Sequence, residues 1–376
     1  MKLFESLQNS LSKSVWLLVS LALSSCTQSF LGGPITMTVI QPSGAYCKYQ
    51  VGPATIQTLD SVSEMRGLMG QVVSHQDDLE SSSSILESGM GFQRLDLRFA
   101  GSGNTFGPLD KTSLIAASLY YSLEKGYFLF KNLDPAGDLN SIVPNLRDTF
   151  IVQNAKIKAI PEEGKMLSDN AAYLQMDGPQ GPRNYFLSFP NEEIKTIPLG
   201  FNAGVMVHEF AHYFTQYAFH MKRSEAGKNL TDESENTLNA FDEGNSDYFA
   251  FLATRDPGFF HCSFPNAGDR DLSHPKVLTN QQLQAIRTSV DFDSHDGGAV
   301  WASVQYQIGE AIGHEQNGQS LISFLNRLAT CTGLSSSSAR VTFNTLKNCH
   351  IQALGNRATP QVQQIYQSAF GALGAN

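Results

Sequence analysis

The spacing of apolar residues along this chain changes near Pro198. Before it, apolar positions alternate in short runs. Leu95–Phe99 alternates, and Phe150, Val152, Ala155, Ile157 and Ala159 recur within Thr149–Ile160, so both segments are predicted strands. Ala171–Met176 and Tyr185–Phe189 are two further predicted strands, joined by a Gly- and Pro-rich turn over Asp177–Arg183. Lys111–Asn132 breaks the pattern. Leu114, Ile115, Ala117, Ser118, Tyr121 and Leu123 give it a wide inward face, which predicts a helix, and the Tyr120–Phe130 aromatics read as core. After Pro198 the spacing becomes helical. Strands first and helices afterwards predict an α+β fold, with a mixed-sheet N-terminal lobe over 93–207 and a mainly helical C-terminal lobe over 208–376.

The segment ahead of that body reads differently. Val15–Leu23 is apolar, too short to span a bilayer, and flanked by Lys2 and Lys13, as in the core of a signal peptide. It ends in Leu23-Ser24-Ser25-Cys26, which resembles a bacterial lipoprotein signal. The expectation is a signal over 1–25 and a lipid on Cys26; a plain secretory signal cut near Ser25 is the alternative. Thr27 and Gln28 follow the cysteine, with no aspartate to retain the protein at the inner membrane, so the outer membrane is favoured. Residues 26–92 are rich in Ser, Gly, Gln and Thr and read as a tether, with a helix near Ser61–Leu79, or else as a pro-like segment.

Composition narrows the classes. Of 376 residues 41% are hydrophobic and 16% charged, as in a globular protein with a large core. The net charge of −9, without a dense basic block, excludes nucleic acid as a partner. Export implies an oxidising compartment. Cys47, Cys262, Cys331 and Cys349 then allow two disulfides. Cys331–Cys349 is the favoured local pair, and Cys47 either joins Cys262 or stays free.

The densest chemistry is His208-Glu209-Phe210-Ala211-His212. Histidines four apart share one helix face, one turn apart. Two neutral imidazoles so placed can hold one zinc ion, and the glutamate between them can take a proton from activated water. A catalytic zinc needs a third protein ligand. Glu243 is the candidate, and Asp247, one turn on, can accept the free ring N–H of a ligand histidine. A solvated acidic face accounts for Asp242 and Glu243 but not for the apolar Tyr248, Phe249, Phe251 and Leu252 beside them. His220, His261, His274, His314 and His350 have no partner at metal spacing and read as surface or core residues.

H-E-x-x-H followed by E-G-x-S-D on a second helix resembles the gluzincin metallopeptidases, the thermolysin and fungalysin relatives. Three flanking segments extend the resemblance over about residue 93 to the end: Asn170–Tyr173, His295–Ala302 and the tail Gln363–Gly374. It implies a zincin-like two-lobed fold with the active-site helix between the lobes, and one Zn2+ ion held by His208, His212 and Glu243. Glu209 is the implied general base. His295 is the implied catalytic donor to the oxyanion, with Tyr306 second, and Asn170 and Ala171 are the implied substrate-binding strand. The implied activity is that of an exported, lipid-anchored endopeptidase, monomeric, acting on peptide or protein substrates and attached to a membrane through its N-terminal lipid. Departures exist. Lys222–Asn236 reads as a polar surface insertion, no tyrosine lies between Glu225 and Glu243, and His295 precedes the glycine pair that it follows in thermolysin-type enzymes. They leave a second class open: a zincin-fold binding or adhesion lipoprotein without turnover.

Overall fold

Ile35, Met37 and Val39 alternate inward along the first described strand. The computed structural model describes residues 33–44, 46–75, 92–134, 137, 146–155, 158–160, 165–166, 170–178, 181–190, 197–264 and 270–371. The strands are β1 (Ile35–Pro42), β2 (Tyr49–Ile56), β3 (Leu59–Ser61), β4 (Arg66–Gly67), β5 (Gly70–His75), β6 (Phe92–Arg94), β7 (Phe99–Ser102) and β8 (Thr105–Pro108). After the long helix α1 (Lys111–Leu133) come β9 (Phe150–Gln153), β10 (Lys158–Ile160), β11 (Lys165–Met166), β12 (Ala171–Gly178) and β13 (Gly181–Ser188). One sheet has the order β2-β1-β8-β7; the larger mixed sheet has the order β12-β13-β9-β5-β4-β3, with β6 also on β5. β12 is thus an edge strand.

Alternation gives the larger sheet two covered faces. Ile151 and Phe186 join the main core beneath the helices, while Val152, Tyr185 and Leu187 build a smaller cluster on the other side.

The remaining helices are α2 (Ala203–Ala218), α3 (Glu225–Lys228), α4 (Asp232–Thr254), α5 (Asn280–Thr288), α6 (Ser294–Ile312), α7 (His314–Cys331), α8 (Phe343–Leu354) and α9 (Pro360–Phe370). Sheets first and helices later make the chain α+β, as the apolar spacing predicts. α2 is buried because its sequence is apolar on nearly every side. Phe210 and Phe214 pack on Phe130 of α1 at 5.7 and 4.4 Å, and Phe130 meets Phe249 of α4 at 4.6 Å. Each such ring contributes roughly 1.5–3 kcal/mol by burial. Among the described residues no helix is long and apolar enough to cross a membrane.

Several expectations need correction. Residues 35–75 are not a tether: β1 to β5 lie there, with Met37, Val39 and Ile56 in the main core. No helix occupies the described part of Ser61–Leu79, which holds β4 and β5. Leu95–Arg98 lies outside any strand, and β7 begins only at Phe99. The strand expected over Thr149–Ile160 breaks at Asn154, whose φ of 51° suits the left-handed tolerance of asparagine. β12 and β13 run on through Asp177 and Arg183 as far as the pair Gly178–Gly181. The polar stretch Lys222–Asn236 contains α3, and α4 begins inside it at Asp232. The signal segment and Cys26 lie outside the described residues.

Both disulfides form. Cys331–Cys349 is local, and Cys47–Cys262 spans a sequence separation of 215. Constraining a loop that long contributes on the order of 5 kcal/mol in the chain-entropy model.

Candidate metal centre

Asn202 starts the helix that matters most. Its side chain accepts from the N–H groups of Gly204 and Val205 at 3.0 and 3.4 Å, capping α2 one and a half turns before His208. His208 and His212 then share one face, and their Nε2 atoms come within 3.0 Å of each other. α4 crosses that face. Glu243 Oε2 lies 3.3 Å from His208 Nε2 and 3.8 Å from His212 Nε2. One donor atom from each of the three residues falls within 4.8 Å of the others.

The outer ring atoms are held as well. His208 Nδ1 lies 2.9 Å from Asp247 Oδ1, and His212 Nδ1 lies 2.9 Å from Asp242 Oδ2, with Ser246 Oγ at 3.2 Å. Arg270 donates to both Asp247 oxygens, at 3.1 and 2.5 Å. His212 Nδ1 is hydrogen-bonded to Asp242 and His208 Nδ1 lies close to Asp247, so in the neutral tautomers with the proton on Nδ1 both Nε2 lone pairs face one point. Two bare lone pairs 3.0 Å apart repel unless a cation lies between them. Glu243 Oε2 is buried there without a hydrogen-bond donor. A buried carboxylate oxygen left so is costly unless a cation takes it up. The donor set therefore fits a divalent metal ion.

Charge distribution agrees. Burial opposes ionisation of Glu243, but His212 and His208, with His295, hold it far below the usual carboxylate range. Burial also opposes charge on His212, yet Asp242 and Glu243 outweigh it and raise its pKa to about 10. His208 is raised too, burial being overcome by Asp247 and Glu243.

Glu209 is buried beside this cluster. Burial lifts its carboxyl above the ordinary range, while His208 and His212 pull it down. Tyr173 on β12 donates its backbone N–H to Glu209 Oε2 at 2.7 Å, which orients the carboxylate.

His295 stands outside the compact donor set. Its side chain is 47% exposed, its Nε2 lies 3.4 Å from Glu243 Oε2, and its Nδ1 lies 2.7 Å from Asp293, the cap of α6. Tyr306 is a correction: eleven residues further along α6, about 16 Å by helix rise, it packs on Phe251 and His314 instead. Asn170 and Ala171 sit at the start of the edge strand, where Ala171 N–H donates to Asn170 Oδ1 at 2.9 Å. His350 is buried with its Nδ1 2.6 Å from Tyr366 Oη, and His314 Nε2 lies 2.8 Å from Glu310.

Sequence reasoning missed Asp242, Ser246, Asp293, Arg270 and the Tyr173 amide. Asp242 precedes Glu243 by one residue and carries a signal, its place on an acidic face, but a solvated face accounts for that equally well. Arg270 had none, because it lies in a loop without period. The chain matches no protein-family model and no curated protein.

Proposed function

We propose that this chain is a zinc-dependent peptidase of the gluzincin type that cuts within polypeptide substrates. Export and a lipid on Cys26 would carry it to the bacterial cell envelope, with the outer membrane favoured. One observation carries the reading: two imidazole nitrogens and a carboxylate oxygen from α2 and α4 meet within 4.8 Å, with Glu209 buried between the two histidines in sequence. A tetrahedral zinc with bonds of about 2.0–2.1 Å has donor–donor edges of about 3.4 Å. The donor separations of 3.0, 3.3 and 3.8 Å bracket that value.

Bound zinc supplies Lewis acidity, lowering the pKa of water to about 7 and polarising a carbonyl. The remaining work belongs to side chains of this protein. Glu209 accepts a proton from the attacking water and returns it to the leaving amine. Burial raises its proton affinity, in the direction a proton acceptor needs. Tyr173 N–H keeps its carboxylate aimed. His295, oriented by Asp293, donates to the developing oxyanion. β12, at the edge of the described sheet beside Glu209, would take an extended peptide strand starting at Asn170 and Ala171 once the Ala171 N–H turned from Asn170 Oδ1 to the substrate, a contact with backbone irrespective of side chain.

The test is cleavage of casein and a mixed peptide library by the purified protein, with and without a zinc chelator. Cleavage lost on chelation and in Glu209→Gln supports the reading. A protein that contains zinc yet cuts nothing in the library contradicts it and favours the binding lipoprotein.

A further inference from the structure

One short turn behind the metal centre touches three parts of the fold. It is the 3-10 turn Phe259–Cys262, just after α4. Phe259 is fully buried against the first turn of α2, where a Cβ on Gly204 would lie 2.3 Å from its ring; only glycine permits the approach. The Phe259 carbonyl and Ser263 Oγ accept from Asn202 Nδ2 at 3.0 and 2.9 Å. The turn therefore fixes the cap of the helix that carries His208 and His212. Phe260 lies beneath Arg270, whose guanidinium carbon is 3.6 Å from the ring centroid. Arg270, only 6% exposed, donates to both Asp247 oxygens, and Asp247 Oδ1 lies 2.9 Å from His208 Nδ1. Cys262 closes the disulfide to Cys47, in the connection between β1 and β2.

The N-terminal hairpin reaches the same region twice more. Tyr49 Oη donates to Asn202 Oδ1 at 2.7 Å, and Cys47 N–H donates to Asp256 Oδ2 at 2.8 Å. Leu272 N–H donates to the Pro257 carbonyl at 3.0 Å, which keeps the chain around Arg270 against this turn. No residue of the hairpin belongs to the metal donors. Its contacts run to the residues that orient them.

We propose that the Cys47–Cys262 disulfide sets the metal affinity of the His208–His212–Glu243 centre, with Asn202 and Arg270 as the positioning residues through which it acts. The proposal rests on the metal reading above. Ligand preorganisation is its physical basis. A histidine binds metal tightly when its ring is already aimed, and the residues that aim it typically change metal affinity 10–100-fold. Here His208 is aimed by Asp247, Asp247 by Arg270, and Arg270 by its stack on Phe260. Phe260 is fixed in turn by a covalent bond two residues away. Without that bond the turn loses its anchor to the β1–β2 hairpin, and the ligands lose alignment while remaining present.

The test measures zinc affinity by competition with a chromophoric chelator, beside urea unfolding, on full-length protein. Cys47→Ser/Cys262→Ser should bind zinc about 10-fold or more weakly while far-UV circular dichroism stays native. Arg270→Gln with both disulfides intact should show a loss of similar size. Cys331→Ser/Cys349→Ser should bind like the parent. Undiminished affinity in folded Cys47→Ser/Cys262→Ser overturns the proposal. If that variant does not fold, Arg270→Gln decides: parental affinity there overturns it as well. An equal drop in Cys331→Ser/Cys349→Ser would reduce the effect to general destabilisation and also overturn it. A parent protein that binds no zinc at all is a separate result, and it sinks the metal reading itself.

Discussion

The Tyr173 backbone N–H and Glu209 Oε2 lie 2.7 Å apart, so the edge strand and the proposed base are joined by a direct hydrogen bond. The bond keeps one carboxylate oxygen occupied and leaves the other for proton transfer. It also makes Glu209→Gln an informative variant. A glutamine oxygen can accept the same N–H, so the strand stays in place while the proton acceptor is gone. Peptide cleavage should fall about 10²–10⁴-fold, with zinc content and melting temperature near those of the parent. Retained cleavage would remove Glu209 from the chemistry.

Proton release should accompany metal binding. His212, with a pKa of about 10, is protonated at pH 8 in chelator-stripped protein, and His208 is shifted the same way. A metal must displace those protons. Calorimetric zinc titrations at pH 8, in buffers of different ionisation enthalpy, should therefore report release of about one proton or more, and affinity should climb with pH towards 10. Zero release would contradict the charge arrangement. The same shift bears on stability. A histidine raised by folding adds stability that is complete below its unfolded value of 6.5 and lost as pH rises through about 10. Stripped protein should accordingly lose urea resistance across that interval.

Asp242 gives a sharper form of this prediction. It faces His212 Nδ1 at 2.9 Å and is not itself a donor in the three-residue set. Asp242→Asn keeps the shape and removes the charge. Zinc affinity should drop about 10–100-fold, and proton release at pH 8 should shrink. Chelator competition and calorimetry on the variant read both, and an unchanged affinity would make Asp242 a bystander.

Gly298 on α6 packs closely against α4 beside Glu243. A Cβ there would lie 2.8 Å from the Cβ of Glu243 and 3.0 Å from the Ala240 carbonyl. Gly298→Ala must push Glu243 or its backbone aside. Overpacking of this kind costs about 1–3 kcal/mol, and the displaced carboxylate should bind metal more weakly. Urea unfolding and zinc titration should therefore shift together. A destabilised variant with parental zinc affinity would mean that Glu243 is no ligand.

The candidate metal donors are legible in the sequence because helix geometry alone relates the members of each pair. His208 and His212 are four apart, as are Glu243 and Asp247, and the structure turns each pair onto one face. The α1 face was legible for the same reason, and so was the edge strand at Ala171, whose alternation is clear. Other features depend on contacts that no local period encodes. β3 and β4 span three and two residues, too short to alternate. β1 does alternate, but its Ile35, Met37 and Val39 sit in a Thr-, Ser- and Gly-rich stretch that read as tether. Arg270 and the Cys47–Cys262 bond come from loops brought together only by the tertiary fold.

The central claim is one shared coordination site, and anomalous diffraction from zinc-soaked crystals tests it most directly. The account predicts a single strong zinc peak within bonding distance of His208 Nε2, His212 Nε2 and Glu243, absent in Glu243→Ala. A peak elsewhere, or Glu243 turned away from both imidazoles at full zinc occupancy, would contradict it.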